Sequence, residues 1–117
     1  MVSIFFFMAT AEEFFAIDMR VGTVLEAEPF PEARKPSIKL VIDFGAEIGR
    51  KQSSAQLTVH YTPAQLIGRQ VVAAVNLGSR RIAGFTSEVL VLGAMPTQTE
   101  VVLLALERPA ANGTRIG

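Results

Sequence analysis

From Asp18 onward the chain alternates between short apolar runs and polar or glycine-proline breaks, at a spacing that suits strands. Asp18 to Glu28 reads as the first strand, with Met19, Val21, Thr23 and Leu25 on one face and Arg20, Gly22 and Glu26 on the other. Gly22 in mid-strand predicts a sharp bend, as a small curved barrel requires. Pro29, Pro31 and Pro36 mark a loop that would display Phe30, Arg34 and Lys35. Ile38 to Phe44 is a second strand, closed by Gly45. A polar connection through Gln52, carrying Arg50 and Lys51, leads to a third strand over Ser53 to Val59. Gln70 to Leu77 is nearly all apolar, which predicts a fourth strand buried on both faces. Val89 to Leu92 and Val101 to Leu106 complete the set, before the turn-rich tail ERPAANGTRIG.

Two helical segments interrupt this pattern. Thr10-Ala11-Glu12-Glu13 has capping-box spacing and predicts a short helix to about Ala16. Thr62 as N-cap, Pro63 at the first helical position and Gly68 at the end predict a helical turn between the third and fourth strands. Five or six short strands with a helical turn at that point match an all-β, five-stranded Greek-key barrel of the OB type, where such a turn plugs an open end. A small sandwich is the alternative, and the interposed helix counts against it.

The chain is one domain's worth, expected over 10–117, with an apolar extension over 1–9. MVSIFFFM is too short to span a bilayer, so no stable membrane insertion is expected. Either Met8 is the true start, or Phe5 to Phe7 pack on the domain or across a dimer.

Eleven basic and eleven acidic residues give no net charge, which argues against nucleic-acid binding driven by overall charge but leaves room for a local basic patch. The absence of cysteine excludes disulfides and thiol chemistry, and fits a cytoplasmic location. With glycine counted and tyrosine left out, the apolar share is about 56%, above the usual 45–50%. A small domain cannot hide that excess internally, so a homodimer face or an open ligand site is expected.

Catalysis finds little support. His60 is the only histidine, Ser53-Ser54 lacks a nucleophile elbow, and the glycines form no recognised phosphate cradle. Asp43 and Glu88 are a conceivable carboxylate pair that spacing cannot place. No metal, nucleotide or other cofactor is expected. Binding does better. Arg34-Lys35, Arg50-Lys51 and Arg80-Arg81 all fall in predicted loops, with Phe30 and Phe85 nearby. They could stack bases and neutralise phosphates, hold an extended peptide, or be scattered solvated charges balanced by Glu26, Glu28, Glu32 and Glu47. The densest cluster is Ala74 to Ala94, which holds Arg80, Arg81, Phe85, Ser87 and Glu88 between two apolar runs.

The segments FFAIDMRVGTVLEAEPFPEARKPSIKLVIDFG, SSAQLTVHYTPAQLIGRQVVAAVNL, RRIAGFTSEVLVLGA and ERPAANGTRIG, in that order and spacing, resemble the CsaA-type bacterial secretion chaperones. These belong to the tRNA-binding-domain superfamily. The resemblance covers about Phe14 to Gly117. It implies an OB-fold homodimer that binds unfolded preproteins without ATP and assists export with the Sec machinery. Carried over by position, the peptide-binding residues would be Phe30, Arg34, Lys39, Ser54, Arg80, Arg81, Phe85 and Ser87. Clients with apolar-basic segments are the expectation. The alternative is a tRNA-binding module using Lys39, Asn76, Arg80, Arg81, Ser87 and Glu88. Related tRNA binders carry Gly-Met after the Ser-Glu pair, whereas this chain has Val89-Leu90. The stiff, branched Val89 favours the chaperone branch.

Overall fold

A computed structural model describes residues 8–117. The expectations for residues 1–7, including the packing of Phe5 to Phe7, lie outside the described residues.

The expected capping box forms: Thr10 Oγ1 accepts from the Glu13 N–H at 3.0 Å and the Glu13 carboxylate accepts from the Thr10 N–H at 2.9 Å. It starts a one-turn helix α1 (Ala11–Phe15). Strands β1 (Met19–Pro29), β2 (Ile38–Asp43) and β3 (Arg50–Ala55) form an antiparallel meander. Between β2 and β3 lies a four-residue helix α2 (Gly45–Ile48), and α3 (Pro63–Leu66) precedes β4 (Gln70–Ala74). Next come β5 (Arg80–Ile82), β6 (Phe85–Ser87), β7 (Leu90–Val91), β8 (Gly93–Thr97) and β9 (Glu100–Leu103). The main sheet runs β3-β2-β1-β4-β7, while β5-β6 and β8-β9 are separate hairpins. The sheet curls into a nearly closed five-stranded barrel of the OB type, as expected.

The interior is filled by Val24, Ile38, Leu40, Ile42, Phe44, Leu57, Leu66, Val71, Ala73 and Val89. Leu66, from the predicted helical turn α3, is fully buried and plugs the barrel. In β1 the expected alternation needs a correction. The core takes the Gly22 and Val24 face, and Val21 on the other face is buried outside the main cluster. A bulge between Val24 and Glu26 makes Leu25 the extra residue, which brings Val24 and Ala27 onto the same inward face. Gly22 is there for room: a Cβ on it would lie 2.6–2.8 Å from the Ile42 and Phe44 side chains.

Other boundaries also moved. The third strand begins at Arg50 and ends at Ala55, not over Ser53 to Val59, because α2 turns the chain back within four residues. Arg50 and Lys51 therefore sit in a strand, opposite Asp43 and Ile42, and not in a loop. The fourth strand stops at Ala74, and Val75 beyond it is only half-buried.

The tail does more than turn. Val21 N–H donates to Thr114 O and Gly113 N–H donates to Val21 O, so residues 113–116 cover the edge of β1 that β2 leaves free. Arg20 clamps this arrangement. Its Nε and Nη2 bind the two Asp18 carboxylate oxygens at 2.6 and 3.2 Å, and its Nη1 donates to Gly113 O at 2.9 Å. Gly113 and Gly45 permit the close crossing of tail and α2, since a Cβ on either would come within 2.6 Å of a carbonyl oxygen, Phe44 O or Asn112 O.

The Gly22 contact predicts that Gly22→Val destabilises the protein by about 1–3 kcal/mol through overpacking, read as a lower urea midpoint at unchanged slope. The clamp predicts a pH effect. The hydrogen bond from Arg20 holds the Asp18 carboxyl below its ordinary value, with the charges of Arg20 and Arg115 helping and slight burial opposing. A lowered folded-state pKa stabilises above the unfolded value of about 3.9 and is lost as pH falls through the folded one. Part of the acid destabilisation below about pH 4 is therefore expected to be missing in Asp18→Asn, measured by urea unfolding across that range.

Candidate functional site

A five-stranded sheet closes only if its outer strands meet, and here β3 meets the segment after β6. Glu88 N–H donates to Gln52 O at 2.8 Å, and the Gln52 N–H donates back to the Glu88 carboxylate at 3.0 Å. One residue along, the Ser53 hydroxyl donates to Val89 O at 2.9 Å, and the Ser54 N–H donates to Ser87 Oγ at 3.0 Å. Two backbone strands that do not form a continuous ladder are thus joined largely by side chains. Ser87, Glu88 and Ser53 are spent on this seam. Glu88 forms no carboxylate pair with Asp43, whose Oδ1 accepts from the Gly45 N–H at 2.8 Å.

The seam holds the base of the β5-β6 hairpin. A two-residue turn, Ala83-Gly84, joins its strands, with φ of 47° and 82°. Positive φ at both central residues is the turn that matches strand twist. Arg80 and Arg81 project from β5 and are exposed, so they sit in a strand and not in a loop. Arg81 Nη1 donates to Thr86 Oγ1 across the hairpin at 2.8 Å.

An aromatic joint props the hairpin against the barrel. The Phe85 ring meets Phe30 edge-on at a centroid distance of 5.5 Å. Lys39 Nζ lies 5.1 Å from the Phe30 ring centre and 5.6 Å from that of Phe85, and pairs with Glu28 at 3.0 Å. Phe30 is only 4% exposed, so the proline loop does not display it. Lys39 is half-buried and is occupied by these groups.

Beside the hairpin opens a cleft of about 530 Å³. Its walls come from the proline loop (Ala33, Arg34, Lys35, Ser37), the end of β3 and the following turn (Ser54, Ala55, Gln56, Leu57), and β5 (Arg80, Ile82). The far wall is Leu90, Val91, Leu92, Gly93, Met95 and Val101. Apolar side chains make most of the lining, with Arg34, Lys35 and Arg80 as its cations.

Of the residues singled out in the sequence, Arg34, Ser54 and Arg80 line this cleft. Phe30, Lys39 and Phe85 form the joint behind it, while Arg81 and Ser87 belong to the hairpin and the seam. Asn76 serves elsewhere: its Oδ1 accepts from the Asp18 N–H and its Nδ2 donates to Ala16 O, both at 2.8 Å, tying α1 to the end of β4. Arg50 and Lys51 stand at the other end of β3 from the cleft-lining residues. His60 meets Glu100 at 2.6 Å, and neither lines the cleft. The aliphatic walls were missed because Leu57, Ile82 and Leu92 look like strand residues anywhere in the chain. The one available signal was Leu90, where the related tRNA binders carry methionine. Leu90 is 53% exposed on the cleft wall, while Val89 beside it is buried in the core.

Comparisons with known proteins agree with this fold. A family model described as "Putative tRNA binding domain" matches residues 19–115. The crystal structure of chaperone CsaA from Bacillus anthracis superposes with a TM-score of 0.90 at 55% identity, covering 95% of this chain and 100% of that one. A CsaA chaperone protein from Picrophilus torridus gives 0.86 at 44% identity, over 94% and 100% of the two chains. The methionine–tRNA ligase of Methanococcus aeolicus is 36% identical over 105 residues, 90% of this chain. This chain spans only 15% of that relative's length.

If Ser87 works in the seam, Ser87→Ala leaves the Ser54 N–H without its partner. A loss of about 1–2 kcal/mol in urea unfolding is expected. An exposed ligand contact would leave stability within about 0.5 kcal/mol.

Proposed function

This chain belongs to the tRNA-binding-domain family, and on that premise we propose that it is an ATP-independent chaperone that binds unfolded preproteins as a homodimer and assists their export. The observation that carries the reading is the cleft. It is open and walled by aliphatic side chains, and among the described residues no aromatic side chain lines it. The nearby rings of Phe30 and Phe85 are occupied with each other and with Lys39. Single-stranded nucleic acid is usually gripped by aromatic faces on which bases stack, and an aliphatic cleft suits peptide side chains better. Likeness to two CsaA chaperones over nearly the whole chain supports the same conclusion. The Sec export machinery enters as the partner to which such a chaperone would hand its client, and the cytoplasm as the place where that happens.

The homodimer is supported by apolar surface that the fold leaves uncovered. Outside the cleft, Val102 on β9 and Leu104 just after it are 41% and 46% exposed, and Phe14, Phe15 and Ile17 lie open on and after α1. Two copies would present two clefts to one unfolded chain, which raises its retention through avidity without requiring a strong single site.

A tRNA-binding role is the second reading, favoured by the family model and by the methionine–tRNA ligase relatives. Arg80 and Arg81 on a propped hairpin would suit phosphate contacts. Salt separates the two readings. Binding of unfolded preprotein through apolar contacts is expected to change little between low and moderate salt, whereas binding through several phosphates falls steeply. Light scattering is expected to give twice the chain's mass, and Val102→Asp is expected to shift it toward the monomer. Tight, salt-sensitive tRNA binding that unfolded preprotein does not compete for would overturn the chaperone reading.

A further inference from the structure

Resting on the peptide-binding reading above, we propose that the cleft selects apolar client segments flanked by acidic residues, not the apolar-basic segments the sequence suggests. The argument is charge complementarity at a defined rim. Arg34 and Lys35 approach from the proline loop and Arg80 from the β5-β6 hairpin, so cations stand on two separate elements around the aliphatic floor. Among the described residues, none of these three side chains makes an ion pair or a side-chain hydrogen bond. Among the described residues, no carboxylate lines the cleft. Other acidic residues are otherwise placed: Glu28 holds Lys39, Glu100 holds His60, Glu88 closes the seam, and Glu32 of the same loop is not among the lining residues.

A net charge of zero makes this local arrangement matter more. Long-range attraction from the whole molecule is absent, so the sign of the rim decides which flanks are accepted. A lysine or arginine beside the apolar anchor of a client would face three like charges, and an aspartate or glutamate would face three partners. The floor still supplies most of the affinity by burying aliphatic side chains, and the rim sets preference among clients of equal apolar content. A peptide's carboxylates are favoured over a nucleic acid's phosphates because, among the described residues, the cleft offers bases no aromatic face.

The test uses the whole protein and three labelled peptides sharing one apolar core, with flanks of Asp/Glu, Ser or Lys/Arg, followed by fluorescence anisotropy at low and high salt. The acidic-flanked peptide is expected to bind about fivefold tighter than the Ser-flanked one at low salt, as two or three exposed ion pairs would give. That margin is expected to shrink at high salt, to vanish in the double variant Arg34→Gln/Arg80→Gln, and to return in Arg34→Lys/Arg80→Lys. Equal or tighter binding of the Lys/Arg-flanked peptide would overturn the proposal while leaving the peptide reading intact. Failure of all three peptides and of unfolded preprotein, with tRNA bound, would instead overturn the peptide reading itself. Displacement of the acidic peptide by tRNA, lost in the same double variant, would assign the rim to phosphate.

Discussion

Closing the barrel between β3 and residues 87–89 is the constraint on which the other features rest. An open five-stranded sheet would leave the β3 edge unpaired and the interior wet from one side. The join is made by an exchange between Gln52 and Glu88 and by the hydroxyls of Ser53 and Ser87. Side chains supply what a ladder cannot, because the chain leaves β6 and enters β7 with a step between them. Once that step is held, Val89 drops into the core and Leu90 turns outward to wall the cleft.

The same closure fixes the hairpin that carries the arginines. Its base is bound at Ser87, and its flank leans on Phe30 through Phe85, with Lys39 spanning both rings and Glu28 neutralising that lysine. Arg80 therefore stands over the cleft from a supported strand. A binding group on a rigid support loses less entropy when it meets a ligand than one on a free loop. Cleft and hairpin share Arg80 and Ile82, and the cleft's far wall runs on through Leu90, Met95 and Val101 toward the exposed Val102.

Much of the fold was legible from local signals. Thr10 and Glu13 announced α1, and Thr62-Pro63 announced the α3 plug, because caps and a first-turn proline act within four residues. The buried run at 71–74 was visible as an unbroken apolar strand. The placement of the recognition-type side chains was not legible in the same way. Arg34 and Arg80 do line the cleft, yet Phe30, Lys39, Ser87, Glu88 and Asn76, all residues of recognition type, are engaged in holding the structure together. A phenylalanine in a proline loop looks the same in sequence whether its ring faces water or another ring.

By itself, the sequence determined the plugged five-stranded barrel and the supply of cations and apolar surface, because periodicity, capping and composition are properties of neighbours along the chain, and its resemblance to known segments gave the family. Only the tertiary structure decided which of those cations remain unpaired, and that the tail straps β1 through Gly113 and Arg20. It also decided that the cleft's aliphatic floor carries a positive rim. The physical reason is separation. Gln52 meets Glu88, Phe30 meets Phe85 and Arg20 meets Gly113 across 36 to 93 residues of chain, and no local pattern encodes which distant group will take a side chain's hydrogen bonds or cover its face.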